Sequence, residues 1–191
     1  MDTILRSASG LYPKLLGVSW PDLDIAIQRL HDLSETVHAA GVFQVRHGNN
    51  KLARILARIA RLPAAGEAVD IRLRVTAKDE GEEWRRMFAG RPLVSMQYDR
   101  GGFLVELMGV VEMRFLLEVA GGALNYRTVS AALRFGSLRV PLPRRLSPCV
   151  TAREKAVGDM NQIHVSVDVT FSLIGRLIAY DGILTQVEAR Q

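Results

Sequence analysis

Residues 101–122 read GGFLVELMGVVEMRFLLEVAGG. A Gly-Gly pair stands at each end, and Gly109 divides the interior into two runs, 103–108 and 111–119. In the second run the apolar side chains fall on odd positions (Val111, Met113, Phe115, Leu117, Val119), with Glu112, Arg114 and Glu118 between them. A period of two belongs to a strand with one buried face. The first run is apolar on both faces, and Glu106 is its single charge. The stretch therefore predicts two strands that turn at Gly109.

The same alternation extends outward. Upstream, Val69, Ile71, Leu73 and Val75 alternate with Asp70, Arg72, Arg74 and Thr76. Turns at 78–81, 90–92 and 99–102 then separate strands over 83–88 and 93–98. Downstream, strands are predicted over 124–129, 131–140, 150–157, 163–171 and 177–187. Residues 141–148, with Pro141, Pro143 and Pro148, are too proline-rich for a central strand and read as a loop.

The N-terminal part is different. Residues 11–16, LYPKLL, form a short helical turn stopped by Gly17. Ser19-Trp20-Pro21-Asp22 opens a stronger helix with Ser19 as cap and Pro21 in its first turn. Leu23, Ile27, Leu30 and Leu33 form its apolar stripe. A strand over 40–46 follows. A second helix over 51–62 starts at an Asn49 or Asn50 cap and stops at Pro63. Leu52, Ile55, Leu56 and Ile59 share one of its faces, expected to pack on the core, while Lys51, Arg54, Arg58 and Arg61 line a neighbouring, solvated face.

These elements predict an α+β chain, mainly antiparallel β. The expected form is a large curved meander sheet or partly closed barrel, with two N-terminal helices covering the concave face or one end. The 191 residues suit a single domain, with a helical cap and first strand over 11–62 and a meander over 68–188.

Composition narrows the function classes. The net charge of +5 permits anionic partners, but aromatics are only 6% and are not interleaved with the basic residues, which disfavours nucleic acid. Cys149 is the single cysteine, so no intrachain disulfide forms. No basic-then-apolar leader opens the chain, and no apolar run reaches the ~18 residues of a membrane span. A cytoplasmic location is the expectation. His31 and His38 lack the carboxylate or cysteine that would complete a metal site, so no metal is expected, and His31 reads as a histidine tolerated near a helix C-terminus.

Several short patterns stand in a definite order along the chain. They are Leu30-His31; Gly41, Phe43 and Val45; Trp84, Arg86, Phe88 and Gly90; Ser95; Val105-Glu106 with Gly109; Pro141-Leu142-Pro143 with Pro148; Ala152-Arg153-Glu154 with Gly158; and Gly175-Arg176-Leu177 with Tyr180 and Gly182. In this order the chain resembles family 4166 of the bacterial domains of unknown function. Members of that family occur alone or C-terminal to saccharopine-dehydrogenase-like and other NAD(P)-binding proteins. The resemblance implies an NAD(P)-dependent partner enzyme. The chain itself has no G-x-G-x-x-G element, so no dinucleotide or other cofactor is expected on it.

Glu106 is the most informative ionisable residue, because a lone carboxylate in an apolar strand must be paired or neutralised. Glu106, Glu154 and Tyr180 are the candidate catalytic groups, and Arg86, Glu106 and Tyr180 the candidate ligand contacts. A structural ion pair is the competing role for Glu106. Glu112, Glu118, His164, Asp168, Arg72 and Arg74 read as cross-strand pairs on a solvated face. Ser95 lacks a nucleophile elbow, and Cys149 sits in a proline-flanked loop without a neighbouring histidine.

The expected function is a binding domain whose apolar pocket takes a small hydrophobic or amphipathic molecule. One alternative is a cofactor-independent isomerase or cyclase using a pocket carboxylate. The other is docking on a partner or an anionic membrane through Lys51, Arg54, Arg58 and Arg61.

Overall fold

The computed structural model describes residues 10–33, 36–158 and 160–187. The strands are β1 (Val37–His47), β2 (Gly66–Lys78), β3 (Gly81–Phe88), β4 (Arg91–Arg100), β5 (Phe103–Met108), β6 (Val111–Ala120), β7 (Ala123–Phe135), β8 (Leu138–Pro141), β9 (Pro148–Ala156), β10 (Gln162–Phe171) and β11 (Gly175–Val187). All pair antiparallel, in the order β6-β5-β4-β3-β2-β1-β11-β10-β9-β7-β8, and β6 also pairs with β7. That last pairing closes every strand except β8 into a ten-stranded barrel. The sheet expected to be curved or partly closed is thus fully closed.

Local chemistry sets the hairpins. Gly101-Gly102 and Gly121-Gly122 all have positive φ, the conformation that tight hairpin turns need to match strand twist. Closure depends on distant pairings. β1 joins β11 from His38↔Val187 to His47↔Ile178. A Cβ on Gly41 would lie 1.9 Å from the carbonyl oxygen of Ile183, so this seam requires glycine. β7 serves two neighbours. Its first part, Leu124 to Arg127, pairs with β9, and its last part, Ala132 to Phe135, pairs with β8. The register shift beside Arg114/Phe115 leaves Val129 unmatched between them.

The inward positions of the strands form one core that includes Phe43, Ile71, Leu73, Trp84, Phe88, Leu104, Met113, Phe115, Leu124 and Ile163. Two helices and a 3-10 turn cover one end: α1 (Leu11–Leu16), the turn Gly17–Asp22, and α2 (Ile25–His31). They are tied down by Asp24 N–H to the Gly122 carbonyl (2.9 Å), Gln186 Nε2 to the Ala26 carbonyl (2.7 Å) and the Lys14–Asp99 ion pair (2.8 Å). The third helix, α3 (Lys51–Ile59), lies at the opposite end, where β1 finishes. Asn50 Oδ1 caps it by accepting from the Leu52 N–H (2.9 Å). None of the helices among the described residues is long and apolar enough to cross a membrane.

Several expectations are corrected. α2 starts only at Ile25, and Ser19 and Pro21 fall within a separate 3-10 turn, which ends where Leu23 becomes extended and its N–H bonds the Trp20 carbonyl. The strands expected over 124–129 and 131–140 are one strand, β7, followed by a hairpin at Gly136. Cys149 is exposed within β9 and not in a loop. The largest correction concerns α3. It packs through its small side chains, Ala53 and Ala57, against Leu177. The aliphatic face expected in the core points outward.

Candidate functional site

Strand parity brings polar residues into an apolar interior. Leu73, Arg86 and Leu93 align across β2, β3 and β4, and Gln97, Glu106 and Met113 align across β4, β5 and β6. Arg86 Nη1 donates to Ser95 Oγ (2.9 Å) and Nη2 to Glu106 Oε1 (3.3 Å). Ser95 Oγ donates to the same Glu106 oxygen at 2.5 Å. The Arg86 and Glu106 side chains are each only 14% exposed. The guanidinium also lies 5.0 Å from the centre of the Trp84 ring. Burial works against the charge on Arg86, but Glu106 and the Tyr180 and Tyr12 hydroxyls outweigh it and raise the guanidinium pKa further. For the Tyr180 phenol burial acts in the opposite direction and raises its pKa, partly offset by Arg86.

A second network hangs from the helical end. Tyr12 of α1 donates to Gln97 Oε1 (2.7 Å), and Tyr126 of β7 lies 3.4 Å from the Tyr12 hydroxyl. Tyr126 donates to Glu154 Oε1 (3.0 Å), while His31 Nε2 meets Glu154 Oε2 at 2.7 Å. The Tyr12 and His31 rings lie against each other with centroids 3.8 Å apart and planes tilted by 35°. Burial, reinforced by nearby carboxylates, raises both Tyr12 and Tyr126 well above the ordinary phenol value, so both remain protonated donors. Glu82 receives the Trp84 indole N–H at 3.0 Å, and burial raises its pKa despite His31 and that hydrogen bond. Among the described residues, His31 Nδ1 and Glu82 Oε1 are buried without a partner.

An interior cavity of about 150 Å³ joins the two networks. Phe43, Ile71, Leu73, Phe115, Val165 and Val167 contribute apolar wall, while Tyr12, Arg86, Gln97, Glu106, Tyr126, Glu154 and Tyr180 contribute polar edges. The candidates Arg86, Glu106, Glu154 and Tyr180 therefore share one cavity. Lys51, Arg54, Arg58 and Arg61 do not line it, although Leu62 and Pro63, just beyond α3, do.

Other groups lie differently from the sequence expectation. His31 is fully buried against Glu154, because α2 turns it into the barrel. Glu112 faces outward yet has no exposure, because the β7–β8 hairpin folds arginines over it. Arg139, Arg134 and Arg100 approach it at 2.6, 3.2 and 3.4 Å, and Tyr98 at 3.1 Å. Among the described residues the exposed cross-strand ion pairs are Arg176–Asp168 (2.6 Å) and His164–Asp181 (3.1 Å), and Arg72, Arg74 and Glu118, expected to pair in the same way, form none. Among the described residues no group of three His, Cys, Asp or Glu side chains is placed to hold a metal.

A family model described as Domain of unknown function (DUF4166) matches residues 23–184. The chain belongs to the DUF4166 family. The match runs from Leu23 to Leu184, so the DUF4166 portion includes Arg86, Glu106, Tyr126, Glu154 and Tyr180, and Tyr12 lies ahead of it. No curated protein and no solved structure matches the chain.

Tyr12, Gln97 and Tyr126 are absent from the sequence-derived candidates, and His31 is weighed there only as a metal ligand. Gln97 and Tyr126 carried a usable signal, since each occupies the inward phase of its strand, beside Ser95 and Leu124 respectively. Tyr12 and His31 reach the cavity region only through helix docking, which strand periodicity does not report.

Proposed function

We propose that this DUF4166 barrel binds a small amphipathic molecule, with its apolar body in the cavity and one polar group at the Arg86–Tyr180 edge. The observation that supports this is the cavity of about 150 Å³ ending on a buried Arg86–Ser95–Glu106 cluster. An apolar cavity of roughly this volume accepts a benzene-sized guest. Glu106 already neutralises Arg86, so the geometry favours a neutral hydroxyl or carbonyl over a second carboxylate.

Native mass spectrometry of the purified chain tests the reading by seeking a copurified small molecule. Ala152→Phe, directed into the cavity, should abolish that adduct and leave the circular dichroism spectrum unchanged. The reading fails if no adduct appears and a panel of small amphipathic alcohols and ketones leaves Trp84 fluorescence unaltered.

A second reading, an acid–base isomerase or cyclase, draws support from the second network. Tyr126 bridges Glu154 and Tyr12, and this chain of hydroxyls could carry a proton along the cavity wall. Of the two carboxylates expected for this role, it favours Glu154, since Arg86 and Ser95 hold Glu106. Glu154→Gln and Tyr126→Phe should each suppress turnover with the fold intact, and unchanged turnover in both would remove this reading.

A further inference from the structure

We propose that the α3 end of the barrel docks on an anionic lipid surface. Successive residues of a helix turn by about 100°, which divides α3 into three sectors. Ala53 and Ala57 face the barrel and are buried. Leu52, Ile55, Leu56 and Ile59 occupy a second sector and are 59%, 53%, 42% and 72% exposed. Lys51, Arg54 and Arg58 fall on the third side, all exposed, and exposed Arg61 follows in the turn just beyond the helix.

The surroundings continue both characters. His47 pairs with Ile178, which places the β10–β11 turn and its exposed Leu173 at this end. Phe88 pairs with Ile71 and with Arg91, so the β3–β4 turn and exposed Arg91 are there too. The loop before β9 adds exposed Leu146, Arg144 and Arg145. Cations outnumber the exposed acids of this end, Glu67 and Asp70 at the start of β2.

Charge selects the occupant. An aliphatic face beside a basic strip is the arrangement of a helix lying in a membrane interface, its apolar side in the acyl boundary and its cations at phosphates. In a two-fold pair of this chain each basic strip would approach its own copy, and like charges oppose that association. The barrel holds α3 folded beforehand, so docking carries no cost of ordering the helix. Docking does not depend on the cavity being filled. It would nevertheless bring Leu62 and Pro63, which line the cavity, close to the lipid.

Co-sedimentation with phosphatidylcholine vesicles, with and without phosphatidylserine, tests the proposal. The chain should bind only the anionic vesicles, and salt should weaken binding. Arg54→Ala/Arg58→Ala should lower the partition coefficient about thirtyfold, taking each cation near the surface as worth about 1 kcal/mol. Ile55→Asp/Ile59→Asp should abolish binding. Both variants should keep the parent's circular dichroism spectrum, since they alter exposed side chains. Three outcomes overturn the proposal: no binding to phosphatidylserine vesicles, equal binding by Ile55→Asp/Ile59→Asp, or ultracentrifugation in which the parent self-associates and that variant is monomeric. The last would assign the face to a second copy.

Discussion

The Arg86–Glu106 pair offers a test that separates its role in folding from its role in binding. The two charges sit 3.3 Å apart, each 14% exposed. At an effective dielectric constant near 20 their gross attraction is about 5 kcal/mol. Desolvation of the two ions offsets most of this, so the pair adds little net stability over an apolar replacement. Removing one partner leaves the other charge buried and uncompensated. Arg86→Leu and Glu106→Leu should each cost about 3 kcal/mol or more, whereas the double variant should cost about 1 kcal/mol or less. Urea unfolding followed by circular dichroism supplies the free energies, and native mass spectrometry on the same samples reports the ligand. A stable double variant that has lost its adduct would assign the pair to binding. If the double variant loses the sum of the two single losses, the pair is not coupled and the electrostatic reasoning is wrong.

Other perturbations probe the scaffold. Glu112→Gln should cost about 2 kcal/mol near neutral pH, since it removes the charge that several arginine donors share. Burial pushes the Glu112 carboxyl up, but the Arg139 and Tyr98 hydrogen bonds and the charge of Arg100 outweigh it and hold the pKa below the ordinary value. The unfolded chain therefore binds the proton first as pH falls, and this stabilisation, complete above the ordinary carboxylate range, fades through the lowered pKa. Urea midpoints of parent and variant should converge in acid, and a constant gap would refute the assignment. Gly41→Ala should lower stability by about 3 kcal/mol or more by forcing β1 away from β11. An unchanged melting temperature would show that the seam is looser than the 1.9 Å approach implies. Ala57→Phe should cost about 1–3 kcal/mol by lifting α3 off Leu177. Thermal melts compared with the exposed Ile59→Phe control would expose the reverse ranking if the helix packs through its aliphatic side.

The strands were legible because their information is local. Alternation in 111–119 and 69–75 fixes which side is buried, and paired glycines mark the turns. Closure was not legible, because the β6–β7 and β1–β11 pairings depend on residues distant in sequence. Helix α3 shows a different limit. Its periodicity reveals an apolar face and does not reveal whether anything covers it. The alanines on the adjoining sector were the better guide, since small side chains allow close approach to a barrel wall. For the site, Glu106 stood out as the single charge in an apolar run. Its partners Arg86 and Ser95 belong to other strands, and only the register unites them. Glu112 followed the outward phase correctly, but outward did not mean wet once the β7–β8 hairpin covered it.

Ring closure also governs how these molecules behave toward one another at high concentration. A sheet rim with free N–H and C=O groups invites a neighbouring chain to add itself as another strand. Here β8 is the one strand paired on a single side among the described residues, and it spans only Leu138–Pro141. Arg139 brings a charge to that short rim, and Pro141 lacks an amide hydrogen to donate. Strand-by-strand polymerisation of the native barrel therefore has almost no template from which to start.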